Sequence, residues 1–536
     1  MKIALVTTPW SSRSGIADYT RHLLPYLREQ AEVSLFVEVG RELEDCGDEC
    51  PEAISELDPR SFDQILYQLG NEAQHAFMIP LIKSLGGTVV LHDWVLFDLA
   101  VSAYPSLAKG GLAGLRRAYS EGGVGQALRW RRSRKQANGV ASGWFGMEGE
   151  GRWSGASAVI PCGGKKLRLQ LHLPEGRAWR IRKGEECLAS GNAAGEVSVE
   201  FGTADAEAVE LEVSGAGPMG RDPRPLGVFV KSVDTSNGRE WVAMDLHELP
   251  PVGTYGLAMA RFELPFNHSV VRHADAFLVH SDVVGRRINE SRNAVTPIFR
   301  VHHGVERRWK DTPRQEERRH LGLAAEWGKS FLLASFGALQ AHKRPAVLFE
   351  ALRLVRERGH DVRLLCVGEE RPSEFDAGSA LRSHGLEEAV HITGWLPEEQ
   401  AWSALHSADL CINLRGPSTG GTSGGACQAL SVGRAVVVSD LPELGHLPEN
   451  CVLRVAAGER EAKDLADQIE ELCLDRRRLS EMETAARRVV EEELHWSLVA
   501  ERYLELLKSY PRARASRRSL LVRFVHETAK QRTPAE

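Results

Sequence analysis

The chain has 536 residues, of which 43% are hydrophobic and 26% charged, with a formal net charge of −6. That length gives room for two or three domains, and that charge argues against wholesale nucleic-acid binding. No run reaches the ~18 apolar residues of a spanning helix, and beside Cys46 and Cys50 no second Cys or His pair completes a zinc site. We therefore expect reduced thiols in a cytoplasmic protein, no metal, and no nucleic-acid partner.

The start, MKIALVTTP, is too short in its apolar run for a signal peptide and reads as a first strand. It ends in the turn PWSSRSG, and ADYTRHLLPYLREQ follows with helical spacing of Tyr19, Leu23, Leu24 and Leu27. EVSLFVE, QILYQLGN and TVVLHD continue as strands, with a helix around HAFMIPLIKSLG. Strands alternating with helices predict a parallel sheet covered on both faces.

Near Gly139 the texture changes. LRLQLHL, WRIRKG, EVSVEFG and VELEVSG alternate with period two between turn residues, which predicts an inserted antiparallel β-sandwich. The α/β pattern resumes with FNHSVVRHA as a helix and AFLVHS and IFRVHHGV as strands. A charged linker follows, ERRWKDTPRQEERRH. A second α/β series then runs from SFLLASFG through RPAVLFEALRLVRERG, VRLLCVGE, HITGWL, EEQAWSALHSA, LCINLR, ACQALSVG and AVVVSD to a long helical stretch from Glu461 to Leu507. The expected domains are 1–138 and 255–308 for a first Rossmann-like domain, 139–254 for the insertion, 309–507 for a second Rossmann-like domain, and 508–536 for a basic tail.

In open α/β sheets ligands bind beyond the carboxyl ends of the strands, and the informative residues of this chain fall on those turns. Ser14 and Gly15 precede a helix. Gly70, Asn71 and His75 follow one strand, and His92 and Asp93 follow the next. Asp93 is expected to cap a helix and His92 to face the cleft. His280 closes a later strand, as does the pair His302 and His303. In the second series Gly337 precedes Lys343, a point charge suited to a phosphate oxygen, and Gly368 ends the next strand. The stretch RGPSTGGTSGGACQAL then offers the main-chain amides of Gly420, Gly421, Gly424 and Gly425 at a helix N-terminus, with hydroxyls from Thr422 and Ser423. It is no Walker loop, because no Gly-Lys-Ser/Thr follows, and it lacks the dinucleotide G-x-G-x-x-G spacing.

Taken in order, SGIADYT, YQLGNEAQH, VVLHDWVL, FLVHS, VHHGV, FGALQAHKR, HITGWLP and the glycine-rich stretch leading into SVGRAVVVSD resemble the retaining nucleotide-sugar glycosyltransferases of family 4, which have two Rossmann-like domains (the GT-B fold). The resemblance covers roughly 1–138 and 255–510. It implies an acceptor site in the first domain, with Ser14, Gly15, Asn71, His75 and His280. It implies a donor site in the second, with Gly337, Lys343, Gly368, Gly420, Gly421, Thr422, Ser423, Gly424 and Gln428. His92 and Lys343 would serve catalysis. The partners would be a nucleotide-diphosphate sugar as donor substrate, no further cofactor, and a glycan or lipid-linked acceptor in surface polysaccharide synthesis.

Three positions depart from the family pattern. Gly420 or Gly421 stands where a first glutamate is usual, Gln428 where a second is usual, and Ala338 where an arginine is usual. A second reading follows: a degenerate transferase whose insertion binds glycan or a partner enzyme. Trp144, Phe145, Trp153 and Trp179 either stack on sugar rings or fill the core of the insertion. The tail, with Arg514, Arg517, Arg518 and Arg523 around Leu520, Leu521, Val522 and Phe524, suits either an anionic membrane surface or a final helix across the first domain.

Overall fold

The computed structural model describes the chain apart from residues 11–13, 39–50, 138–143, 149, 156, 163, 184–185, 204–205, 207, 220–221, 239, 247–248, 250–261, 292–295, 324, 372–374 and 511–536. All but the first three residues of the expected basic tail therefore lie outside the described residues, as do Cys46 and Cys50. The chain divides into two compact units, one of 1–127 with 261–536 and one of 128–260.

The first unit holds two parallel sheets. The seven-stranded sheet has the order Ile298–Arg300, Ala276–Val279, Thr88–Leu91, Gln64–Leu69, Lys2–Val6, Glu32–Val37, Glu52–Ala53. The six-stranded sheet has the order Val390–Ile392, Val362–Val367, Phe331–Phe336, Leu410–Asn413, Val436–Ser439, Val452–Val455. Strands such as QILYQL and VVVS are buried at every residue, as parallel strands covered on both faces must be. Each sheet carries two hydrophobic clusters.

Register places the site. Leu69 pairs with Leu91 and Leu91 with Val279, so the next residues, Gly70, His92 and His280, emerge side by side at the carboxyl edge. The stretch Glu461–Leu507 is broken into helices Glu461–Leu474, Arg476–Val489 and Trp496–Ser509, with a π-helical turn at Val490–Leu494. The last helix returns to the first sheet: Tyr503 and Tyr19 share a 2.8 Å hydroxyl contact, and Gln64 donates to the Leu507 carbonyl at 2.8 Å. The helix Gly111–Ala137, with non-helical geometry at Gly123, has no counterpart in the sequence reading.

The second unit is antiparallel. One sheet has the order Glu186–Gly191, Ala178–Lys183, Ala208–Ser214, Ser157–Pro161. A second has the order Gly195–Gly202, Lys166–Leu173, Phe229–Ser236, Gly151–Ser154, Trp144–Glu148, with Trp241–Ala243 paired to Phe229–Ser236, and a third pairs Gly217–Met219 with Asp222–Leu226. Lys166–Leu173 buries every second residue, and those residues join Ile181, Leu211 and others in one core. Trp144 and Trp179 belong to that core, with Trp144 Nε1 donating to the Val159 carbonyl at 2.8 Å. Trp153 is only half-buried and packs against Phe229 with ring centroids 5.2 Å apart.

Candidate functional site

The carboxyl edges of the two parallel sheets carry the predicted residues, and the glycine-rich stretch lies between them. Ser423 caps the helix Gly424–Ser431, its hydroxyl accepting from the Ala426 amide at 3.2 Å and donating to the Asn413 side chain. That cap leaves the first-turn amides of Gly424 and Gly425 with no intrahelical partner. Thr422 donates to His446 Nε2 at 3.3 Å, while His446 Nδ1 faces the Glu443 carbonyl at 3.0 Å. The Gln428 amide oxygen is 3.3 Å from the Ser431 hydroxyl.

Two of the glycines have a further cause. A Cβ on Gly421 would sit 2.3 Å from the His92 carbonyl oxygen and 2.9 Å from Asp93 Oδ1. Gly420 has φ +84°, and a Cβ there would meet Trp94 at 2.8 Å and an Arg287 nitrogen at 3.0 Å. The stretch is thus pressed against the turn after the strand Thr88–Leu91. Thr419 Oγ1 donates to Asp93 Oδ1 at 2.6 Å, and the Val95 amide donates to the Thr419 carbonyl at 2.8 Å. These contacts join residues more than three hundred positions apart in sequence.

Asp93 is not a helix cap. The helix Phe97–Ala103 begins after Leu96, too far along for Asp93 to reach as its cap residue, and no side chain of its own caps it. Asn71 reaches in instead: its Oδ1 accepts from the Asp98 amide at 2.8 Å. Asp93 Oδ2 accepts from the Asn71 amide at 3.0 Å. Burial raises the Asp93 carboxyl above its ordinary value, opposed by Thr419, the Asn71 amide and the charge of Arg415.

The histidines form a closed network. Burial holds His92 well below its ordinary value and His280 at about 3, with neighbouring imidazoles adding to the effect. Both are therefore neutral near pH 7. His280 Nδ1 lies 3.1 Å from the Val301 carbonyl, which can only accept, so this nitrogen carries the proton. His280 Nε2 lies 3.3 Å from His92 Nδ1. His92 Nε2 lies 2.8 Å from Gln68 Oε1. Both His92 nitrogens are thus engaged within the protein, and its main-chain carbonyl is the part that touches Gly421.

Other first-domain residues are also used locally. Ser14 caps the helix Gly15–Arg28 through the Ile16 amide at 3.2 Å. Gly15 has open space around it. His75 is fully buried, its Nδ1 accepting from the Gly70 amide at 3.1 Å while Nε2 is buried without a partner. His280 is likewise buried.

At the edge of the six-stranded sheet several of the predicted residues lie close together. Gly337 has φ +100°, and a Cβ there would lie 2.2 Å from Lys343 Nζ. A Cβ on Gly368 would lie 2.4 Å from the Gly337 carbonyl, so these two strand ends touch. Lys343 ends the turn Ala341–Lys343, and the following Arg344 adopts φ 55°. That conformation costs a non-glycine residue roughly 1–3 kcal/mol and is pinned by paired contacts from the Arg344 guanidinium to buried Glu461. The Gly416 amide donates to the His342 carbonyl at 2.8 Å, bringing this turn beside the glycine-rich stretch.

Arg415 was missed by the sequence reading. It follows the strand Leu410–Asn413 almost at once, and its Nη1 donates to the Thr422 carbonyl at 3.4 Å. Its Nε is buried without a hydrogen-bond partner, and burial lowers the guanidinium's affinity for its proton. Its place directly after a buried parallel strand was the available signal. Among the described residues no group of three or more His, Cys, Asp or Glu could hold a metal ion, and no helix is long and apolar enough to cross a membrane.

Residues 330–475 match the family model of glycosyl transferases group 1. No curated protein matches the sequence. Among solved structures, Anabaena HepE (Alr3699), determined in complex with UDP and glucose, is similar with TM-score 0.52 and 13% identity over 95% of this chain and 100% of that one. Sucrose-phosphate synthase from Thermosynechococcus elongatus is similar with TM-score 0.50 and 12% identity over 95% of this chain and 98% of that one. At that identity the likeness establishes a GT-B-like α/β fold. The group 1 match covers the sheet that carries Lys343, Arg415 and the glycine-rich stretch.

Proposed function

We propose that the chain is a retaining glycosyltransferase of family 4 type that moves a sugar from a nucleotide-diphosphate donor to a glycan or lipid-linked acceptor, in surface polysaccharide synthesis. One observation carries the reading: Lys343, Arg415 and the first-turn amides of the helix Gly424–Ser431 all lie on turns at the carboxyl edge of one parallel sheet. Two cations and a helix N-terminus are what a departing diphosphate needs. The complex of a protein of similar fold with UDP and glucose supports a nucleotide-sugar donor.

In this reading Lys343 and Arg415 neutralise the diphosphate as the glycosidic bond breaks, and the amides of Gly424 and Gly425 add fixed dipoles. Gln428 hydrogen-bonds the nucleotide ribose. The acceptor enters from the first domain, whose neutral histidine network keeps the edge rigid without competing charge. Catalysis is then positioning plus leaving-group stabilisation. Incubation with UDP-, GDP- and ADP-sugars tests this: release of nucleoside diphosphate from at least one is expected, and no release together with no rise in melting temperature overturns it.

A second reading is favoured by one observation, the half-exposed pairing of Trp153 and Phe229. Here the unit 128–260 binds glycan. Retardation in gels containing polysaccharide, lost on Trp153→Ala, is the expected result; equal mobility with and without polysaccharide excludes it.

A further inference from the structure

A departing diphosphate leaves positive charge on the sugar's anomeric carbon, and a carboxylate facing that sugar lowers the barrier. The stretch Gly420–Gly425 carries none. Glu443 is buried, and one of its oxygens accepts from Ser418. Asp440 is exposed at the end of the strand Val436–Ser439. Asp93 differs from both. It comes from the facing domain, is only partly buried, and has Oδ1 2.9 Å from where a side chain on Gly421 would begin.

Resting on the transferase reading above, we propose that Asp93 supplies the donor-site carboxylate that the glycine-rich stretch lacks. The exchange is reciprocal. Any side chain at Gly421 would collide with the His92 carbonyl at 2.3 Å, so a carboxylate cannot be presented from that position while the two turns are in contact. The same contact brings in Asp93. Its two oxygens accept one hydrogen bond each from Thr419 Oγ1 and the Asn71 amide. A carboxylate has about four acceptor sites, so capacity remains for hydroxyls of the transferred sugar. The Asn71 amide and Thr419 hold the group in place, and Arg415 lies close enough to influence its charge. Asp93 is thus a catalytic residue that exists as such only when the two domains meet.

The test compares wild type, Asp93→Asn and Thr419→Val. Affinities for UDP and UDP-glucose, and for GDP and GDP-mannose, are measured by calorimetry beside the rate of sugar transfer or hydrolysis. Asp93→Asn is expected to lower kcat about 100-fold while affinity for the sugar-free nucleotide stays within threefold of wild type, which also reports that the protein is folded. Thr419→Val, which loosens the domain contact but keeps the carboxylate, is expected to lose less than tenfold in kcat. Equal losses in the two variants would mean that Asp93 acts only through the contact, and kcat within threefold of wild type in Asp93→Asn would remove it from the chemistry; either overturns the proposal. If wild type binds none of the four probes, the transferase reading itself fails, and that outcome is separate from either of these.

Discussion

Gly421→Ala is a small change that strikes the contact between the two turns directly. A Cβ would be placed 2.3 Å from the His92 carbonyl oxygen. That oxygen cannot retreat far, because His92 directly follows a central strand and its own amide is bonded to the Leu69 carbonyl at 2.9 Å. The stretch 419–421 must move away instead. Two hydrogen bonds then go, Thr419 to Asp93 at 2.6 Å and Val95 to Thr419 at 2.8 Å. A bond to a charged group is worth about 1.5–3 kcal/mol and a neutral one about 0.5–1.5 kcal/mol, so the contact should weaken by about 2–4 kcal/mol. Hydrogen exchange at the Val95 amide reads this directly. Exchange should speed up by about 30- to 1000-fold. An unchanged Val95 exchange rate in Gly421→Ala would refute the claim that glycine is needed here for close approach.

Other outcomes follow from the same geometry. Lys343→Ala and Arg415→Ala should each weaken nucleoside-diphosphate binding by about 10- to 100-fold in calorimetry, the worth of a charge-assisted hydrogen bond. Burial disfavours ionised Glu398, but His22, Arg21 and Arg308 outweigh it and hold the carboxyl at about 2. A depressed carboxylate stabilises above its unfolded value and loses that stabilisation as pH falls toward about 2. Glu398→Gln should therefore cost about 1–2 kcal/mol at pH 7 after solvent screening, seen as a lower melting temperature, and the difference from wild type should fade between about pH 5 and pH 2. Trp179→Ala should destabilise the unit 128–260 by about 3–5 kcal/mol, whereas Trp153→Ala should cost less than about half of that, with hydrogen exchange in 128–260 as the readout.

The parallel sheets were legible because a strand covered on both faces must be a continuous apolar run. QILYQL, TVVL and VVVS have few other readings between turn residues. Residues beyond those runs were legible for the same reason, which is why Gly70, His92 and His280 could be placed at one edge. The helix Gly111–Ala137 was not, because Gly111, Gly114, Gly122, Gly123 and Gly125 dilute its periodicity. The core positions of Trp144 and Trp179 were left open in sequence, although Trp179 alternates with Ile181 as an inward residue should. Asp93 was misread because the residue after a strand end is a common cap, and nothing local announces a partner at Thr419. The left-handed Arg344 was equally silent, since its cause is Glu461, far along the chain. Glycines at 420 and 421 read as a phosphate cradle; the structure adds that they are where two turns touch.

The most direct test of the account is calorimetric titration of UDP, GDP and ADP into wild type and into the double variant Lys343→Ala with Arg415→Ala. The account predicts saturable binding of at least one nucleotide by wild type and a loss of about 100-fold or more in the double variant. Equal affinity in the two proteins, or no binding of any nucleotide by wild type at millimolar concentration, would contradict it.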